Sequence, residues 1–365
     1  MVSMVSMVSM VSMVSMASMA SAQSVIYYVS NGGKVVAPPS GAFLDAENKE
    51  LTVSSNTYEN DIGTITLSGD VAKFADGALY GMDLLYVTVP STVTAIGSNA
   101  FNSCKNLKAI LFESASAPDG GTDGYAFSSS NMTIYAPLAS YDKYDTAFES
   151  KTGVTYVCSW QDITLNSSGI GTFGDTSHNW LYYSNYNKNT GLQAYHCSGF
   201  TESTITFTQM YSSCKGKGVV LKGEANATYR LLETKESLTE VTNYMIASDG
   251  KNIEVATGKY ILTSGTYGIG FYPLKSNTAV PVGKAYLDLG TSAGAKFLGC
   301  SFEDIPNGIE NVENVGDVED VENVGNCCDL TGRRIQLAQS AQLDQLATLA
   351  PSGLYILNGK KYFRR

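Results

Sequence analysis

The apolar residues between Val71 and Leu107 repeat at a fixed interval. Val71, Phe74, Ala78, Leu79, Met82 and Leu85 recur as Val93, Ile96, Ala100, Phe101, Cys104 and Leu107, each pair 22 positions apart (93 − 71). A third, irregular copy includes "YAFSSSNMTIYAP", where Phe127 matches Phe101. No helix-length stripe runs through the stretch; an apolar residue falls every second or third position, punctuated by Pro, Gly and Asn. Periods in the twenties belong to solenoids, whose units bury an apolar face only by stacking on their neighbours and whose ends need capping. Pro90 and Gly97 then mark turns, while Ile96, Ala100, Phe101, Cys104 and Leu107 point into a shared core. Thr92, Thr94, Ser98, Asn102 and Lys105 are the positions left outside. "SVIYYVSNGGKVVA" is expected to cap one end and the following segment to cover the other.

These residues carry a resemblance. "VTVPSTVTAIGSNAFNSCKNL" resembles the BspA-type leucine-rich repeats of Bacteroidetes and other surface proteins, whose pattern reads I-x-I-P-x-S-V-T-x-I-G-x-x-A-F-x-x-C-x-x-L. "MTIYAPLASYDKYDTAF" is similar to the stretch that closes such arrays, a strand followed by a Tyr-containing helix. Met82 departs from the usual Cys, and the third copy lacks the Cys-x-x-Leu. The resemblance implies binding or adhesion to a host or microbial protein or glycan, without catalytic activity.

Residues 156–305 read as strands throughout, among them "STITFTQM", "GVVLKG", "TYRLLE", "KYILTSG", "YGIGFYPL" and "KAYLDL". Many short β-branched or alternating runs bounded by Gly, Asn and Ser point to a β-sandwich. The G-x-x-T-F, G-L-x-A-Y, G-x-G-V-V-L-K-G and P-x-G-K-A-Y-L stretches, in that order, resemble a β-sandwich module of Bacteroidetes secreted proteins. Within it "NWLYYSNYNKNTGLQAYHCSGF" gathers Trp180, Tyr182, Tyr183, Tyr186, Tyr195 and Phe200. Strand alternation sends half of such residues into a core. Exposed ones suit stacking on sugars or protein interfaces, which makes Trp180, Tyr182, Tyr183 and Tyr186 the expected ligand contacts.

Other motifs lack the context their chemistry needs. Gly169–Gly174 fits G-x-G-x-x-G, but the "DTSHNWLYYSNY" that follows is no helix to hold a pyrophosphate at its N-terminus. His178, His196 and Cys197 fit no standard zinc spacing. Neither G-x-S-x-G nor H-E-x-x-H occurs, and nothing marks a carboxylate pair for glycoside hydrolysis among the scattered acids. No catalytic residue, metal or cofactor is therefore assigned. Seven cysteines without C-x-x-C spacing read as small buried hydrophobes, with a Cys197–Cys214 bridge across a hairpin as the alternative. A net charge of −10 with dispersed basic residues opposes nucleic-acid binding. No run of ~18 uninterrupted apolar residues forms a transmembrane helix.

Both ends concern export. Residues 1–22 end in Ala20-Ser21-Ala22, an A-x-A cleavage site of the signal-peptide kind, although no Lys or Arg precedes it and Ser interrupts every third position. A repetitive extension is the alternative. Residues 306–326 are acidic and of low complexity, a solvated linker. Residues 327–365 resemble the C-terminal sorting domain of the Bacteroidetes type IX secretion system. The resemblance rests on Asp329, Leu330, Gly332, Arg333 and Arg334, then Pro351, Gly353, Leu354, Tyr355, Ile356, Gly359, Lys360 and Lys361, with Cys328 in place of the usual Tyr. It implies contact with the secretion machinery and an extracellular or outer-membrane surface location, the periplasm being the alternative. Asn358-Gly359 between "GLYIL" and "KKYF" is by itself a strong two-residue hairpin signal.

The expected architecture is mainly β: a signal peptide over 1–22, a short BspA-like solenoid over 23–155, a β-sandwich over 156–305, the linker, and a small C-terminal β segment. The expected function is an exported surface or secreted binding protein. A carbohydrate-binding or carbohydrate-active envelope protein, or a purely structural one, are the alternatives.

Overall fold

The 22-residue interval becomes a backbone register. In the computed structural model Lys73 pairs with Ala95 and Phe74 with Ile96 in parallel. Alongside, Gly77 N–H donates to Ser98 O, Leu79 N–H to Ala100 O and Gly81 N–H to Asn102 O at 2.8–2.9 Å, so successive turns are laddered coil to coil. Val71, Phe74, Ala78, Leu79, Val93, Ile96, Ala100, Phe101, Cys104 and Leu107 are all buried. Ring centroids lie 5.1 Å apart for Phe43 and Phe74 and 5.9 Å apart for Phe74 and Phe101. The structure describes residues 23–120, 131–149, 151, 153–183, 189, 191–290, 294–303, 327–329, 334–335, 353–357 and 360–364. Residues 1–22, Phe127 and the 306–326 linker lie outside them.

Two inward positions differ. Met82 is only partly buried, though packed against the core. Leu85 is half-buried, and Leu84 occupies the interior instead. The antiparallel pairing of Val25–Ser30 with Leu84–Val89 sets Val29 opposite Tyr86 and Ser30 opposite Leu84, so Leu85 is the extra residue of a bulge. Gly97 is required by close approach, since a Cβ there would sit 2.4 Å from Asp76 N. Asp76 Oδ1 also accepts the Ser98 N–H at 2.9 Å, fastening one turn to the next. Thr92, Thr94, Ser98 and Lys105 are exposed and Asn102 half-buried. The Cys104 thiol lies 3.0 Å from Leu79 O, and burial pushes its pKa up to about 11. A thiol kept protonated there is a core group rather than a nucleophile.

Both ends of the array are closed. Val25–Ser30 lies between Leu84–Val89 and Ile62–Leu67, pairing antiparallel with each. At the other end the strand Met132–Pro137 leads into the helix Tyr141–Phe148. Tyr141, Tyr144, Ala147 and Phe148 recur at three- and four-residue spacing, the stripe that turns eight residues into a packed helix. Tyr144 and Phe148 set their rings 5.4 and 5.5 Å from Phe112. The Tyr144 hydroxyl reaches the Ser114 and Ser116 carbonyls at 3.0 and 2.9 Å.

The repeat sheet does not stop at residue 155. Its ten strands run in the order Ser212–Ser213, Asn179–Leu181, Thr228–Thr234, Val154–Thr164, Met132–Pro137, Ala109–Phe112, Leu84–Val89, Val25–Ser30, Ile62–Leu67, Val53–Glu59. Val154–Thr164 is the hinge of this order, parallel to Met132–Pro137 on one side and antiparallel to Thr228–Thr234 on the other. The boundary drawn where the repeat pattern ends therefore falls inside one continuous sheet. Beyond it, Ile170–Gly174, Gly218–Lys222, Gln193–Phe200, Thr204–Met210 and Gly299–Glu303 form a five-stranded sheet, and Met245–Ala247, Ala285–Asp288, Lys259–Gly265 and Gly268–Pro273 belong to a four-stranded one. Phe173, Val219 and Leu221 of the five-stranded sheet share a core with Trp180, Tyr229 and Leu231 of the ten-stranded sheet. Sheet packs on sheet here, as in a sandwich.

The chain divides into two compact units, Met1–Ser301 and Phe302–Arg365. In the second, Cys327–Asp329, Arg334–Ile335, Gly353–Leu357 and Lys360–Arg364 form a four-stranded antiparallel sheet. Leu357 pairs with Lys360, in keeping with a two-residue hairpin. Of the sorting positions, Gly353, Tyr355, Lys360 and Lys361 lie on these strands; Gly332, Arg333 and Gly359 lie outside the described residues.

Candidate functional site

The aromatic cluster singled out in the sequence is mostly interior. Trp180 and Tyr182 are buried in the core shared by the two sheets, so neither can contact a ligand, and Tyr195 is buried as well. Position explains this. Trp180 and Tyr182 are two residues apart and share the inward side, while Tyr183 between them and the next turn is 40% exposed. Tyr186 lies outside the described residues. The Asp175 carboxylate accepts N–H bonds from Ser177 (2.6 Å), His178 (3.0 Å) and the Trp180 indole (3.1 Å), and meets His178 Nδ1 at 3.0 Å. His178 thus belongs to a turn that holds Trp180 in place. Gly169–Gly174 leads through the strand Ile170–Gly174 into that same turn. Cys197 and Cys214 are free thiols, and burial pushes Cys197 up to about 12. No metal-ligating group of three or more side chains occurs among the described residues.

Every strand of a sheet presents alternate residues to opposite faces. One face of the ten-stranded sheet carries the repeat core, through Val87, Val89, Ile110, Phe112, Ile134 and Val157, and the sandwich core, through Leu231 and Tyr229. The other face carries a second, largely buried cluster that both halves build together. Register places Tyr86 beside Ala109, Thr133 and Tyr156, and Leu111 beside Tyr135 and Cys158; Trp160 stands opposite Leu232, and Asp162 opposite Arg230. Tyr86, Leu111, Tyr135, Cys158 and Leu232 are buried and form its floor, with the partly buried Val29, Trp160 and Leu181 packed against it. Tyr156 stands 44% exposed at its side.

A charged group occupies the junction of repeat and sandwich. Arg230 grips Asp162 with two hydrogen bonds of 2.8 and 2.9 Å and reaches Glu113 at 3.1 Å. Its guanidinium carbon lies 3.8 Å from the centre of the Trp160 ring, a cation–π contact. The indole N–H donates to Phe112 O at 2.8 Å, which fixes the ring under the cation. Burial opposes the charge on Arg230, but hydrogen bonding and charge from Asp162, then Glu113, outweigh it and raise its pKa. Burial also raises the Tyr86 phenol, with Arg230 lowering it and Glu113 adding to the rise, so the group stays neutral and able to donate. Thr88 Oγ1 accepts the Tyr27 N–H at 2.8 Å, and burial, then Glu113, raises Tyr27 in the same sense. Two carboxylates around one guanidinium leave the rim formally acidic.

The part of this face open to contact is the exposed Tyr156, the half-buried Trp160 and the Arg230 group. Its cation is held by two acids, and burial raises the Tyr86 and Tyr27 phenols. The nearby buried acid, Glu233, accepts hydrogen bonds from Ser159 N and Oγ at 2.7 and 2.8 Å and pairs with Lys235. Lys235 in turn lies 5.0 Å from the centre of the Tyr141 ring. Glu233 therefore ties a sandwich strand to the helix that closes the repeats. Sequence reading passed over Tyr86, Tyr135, Trp160 and Arg230. The pointer to Tyr86, Tyr135 and Trp160 was present in "LLYVTV", "MTIYAP" and "VCSWQD", where an aromatic falls on the side left over once the inward positions are assigned.

Residues 44–154 match the family model described as "BspA type Leucine rich repeat region (6 copies)". No curated protein and no solved structure matches the chain. The repeat part of the molecule is thus of the BspA type, a kind of repeat found in surface and adhesion proteins and consistent with a binding role. Among the described residues no helix is long and apolar enough to cross a membrane.

Proposed function

We propose that this protein is an exported, non-enzymatic surface protein that binds a protein ligand on the second face of its ten-stranded sheet. The observation that carries the reading is the exposed Tyr156 beside the half-buried Trp160 and Arg230, on a floor into which Tyr86 and Tyr135 are buried. Tyr, Trp and Arg dominate the energetics of protein interfaces because they offer large, stiff contact areas with a polar handle. The acidic rim favours a partner with basic residues at its edge, which speeds encounter more than it tightens the complex.

The test uses the full chain and a panel of purified extracellular-matrix proteins in surface plasmon resonance. At least one is expected to bind, and Tyr156→Ala should weaken that binding by about 5-fold or more, the usual loss when a well-placed interface tyrosine is truncated. Thr92→Ala, on exposed solenoid surface, should leave it unchanged. Binding to no member of the panel, or equal affinity of Tyr156→Ala and wild type, would count against the reading.

Export is proposed on the A-x-A site of residues 1–22 and on the sorting resemblance of residues 327–365, whose described strands make a small sheet of their own. Removing residues 327–365 in a Bacteroidetes host is expected to leave the protein in the periplasm, inaccessible to protease added to whole cells. Undiminished surface cleavage would refute the sorting role.

A further inference from the structure

A second surface of different character lies at the end of the hairpin Lys259–Gly265 and Gly268–Pro273. Gly265 pairs with Gly268, so Thr266 and Tyr267 make the turn, and Gly268 takes φ +92, a conformation L side chains avoid. Tyr267 is 65% exposed and Ile269 47%. Phe297, from the segment that follows, sets its ring 5.5 Å from Tyr267 and 5.1 Å from Tyr272, so three rings meet at the tip.

Two glycines seat these rings. A Cβ on Gly265 would lie 2.6 Å from Cζ of Tyr272, and one on Gly270 would lie 2.4 Å from Cε2 of Phe297. Each ring therefore rests directly on strand backbone. The Tyr272 hydroxyl accepts the Tyr267 N–H and donates to Gly268 O, both at 2.9 Å, which locks the ring to the turn. Covering strand glycines explains Tyr272 and Phe297. It does not explain Tyr267, which covers no glycine and stands out in solvent on a pre-formed base.

From this we infer that the Tyr267–Phe297–Tyr272 tip is a stacking platform for the pyranose rings of a neutral polysaccharide. The stretch from Tyr260 to Leu274 contains no charged residue, so the hairpin itself offers nothing to pair with an ionic ligand; Lys296, next to Phe297, is the cation closest to these rings along the chain. Thr263, Ser264 and Thr266 are exposed there and supply hydroxyl partners for sugar hydroxyls. A stable protein interface needs roughly 800 Å² per partner, whereas a sugar needs only a fixed ring face. Little ordering remains to be done on binding, because the rings are already held. The platform goes beyond the protein-binding reading and shares no residue with the face argued for it.

The test is affinity electrophoresis of the full chain in native gels containing hydroxyethyl cellulose, laminarin, galactomannan or soluble starch. At least one is expected to retard the protein, and Tyr267→Ala should weaken that binding about 10-fold, the order of one lost ring stack. Tyr267→Phe, which keeps the ring face, should stay within about 2-fold, and Tyr156→Ala should migrate like wild type. Circular dichroism of Tyr267→Ala checks that the fold is intact. Unretarded migration in all four gels, or a loss of less than about 3-fold for Tyr267→Ala, overturns the proposal. Neither result bears on the matrix-protein experiment, which reads Tyr156.

Discussion

Replacing Phe101 by Ala is expected to cost about 3–5 kcal/mol, the range for deleting a large aromatic from a tight core. The ring has no solvent exposure and lies 5.9 Å from Phe74, which in turn meets Phe43 at 5.1 Å. Neighbouring turns are joined by backbone hydrogen bonds as well as side chains, so the surroundings cannot collapse into the space without breaking the ladder from Gly77 to Asn102. Solenoid units depend on their neighbours, and the loss should spread to the whole array. Urea unfolding followed by circular dichroism would show a lower midpoint for Phe101→Ala. Thr92→Ala should move it by no more than about 0.5 kcal/mol. A loss below about 1 kcal/mol for Phe101→Ala would mean the ring is not part of the shared core.

The inward residues of the solenoid were legible because stacking makes each unit repeat the demands of the last. Phe74 and Ile96 stand 22 apart in the chain for the same reason that they stand side by side in the sheet. Leu85 broke the pattern because a bulge is set by the partner strand, Val25–Ser30, which lies outside the repeat. Strand alternation told that half of the Trp180–Tyr186 aromatics would face inward, yet not which half, since either parity satisfies the pattern. Trp180 and Tyr182 went inside because their side meets Phe173 of the second sheet. The second face of the ten-stranded sheet was the least legible. It needs Thr228–Thr234 to lie beside Val154–Thr164, a pairing across 68 positions for Asp162 and Arg230 that no local periodicity encodes. The end of the repeat pattern placed a boundary at 155 where the backbone continues, because repeat and sandwich share a sheet rather than a linker.

That long-range pairing makes Arg230 the residue whose loss should separate binding from core stability. Arg230→Ala removes the two bonds to Asp162 and the one to Glu113 and uncovers the Trp160 ring. Hydrogen bonds to charged partners contribute about 1.5–3 kcal/mol, but Asp162 is 38% exposed, and solvent screening puts the expected loss near the lower end. Asp162 and Glu113 would then face each other without their cation. Their repulsion is screened by salt, so raising NaCl from about 0.1 to 1 M should recover part of the stability lost in Arg230→Ala. The same salt should recover nothing specific in Phe101→Ala, whose defect is a cavity. Arg230→Lys keeps the charge but not the planar fork, and should restore stability better than it restores ligand affinity. For the matrix-protein ligand, Arg230→Ala is expected to weaken binding by about 30-fold, the mark of an interface hot spot of about 2 kcal/mol. Full affinity in Arg230→Ala would move the binding surface away from this junction. An affinity loss in Arg230→Ala that high salt reversed completely would reduce the arginine to keeping two acids apart.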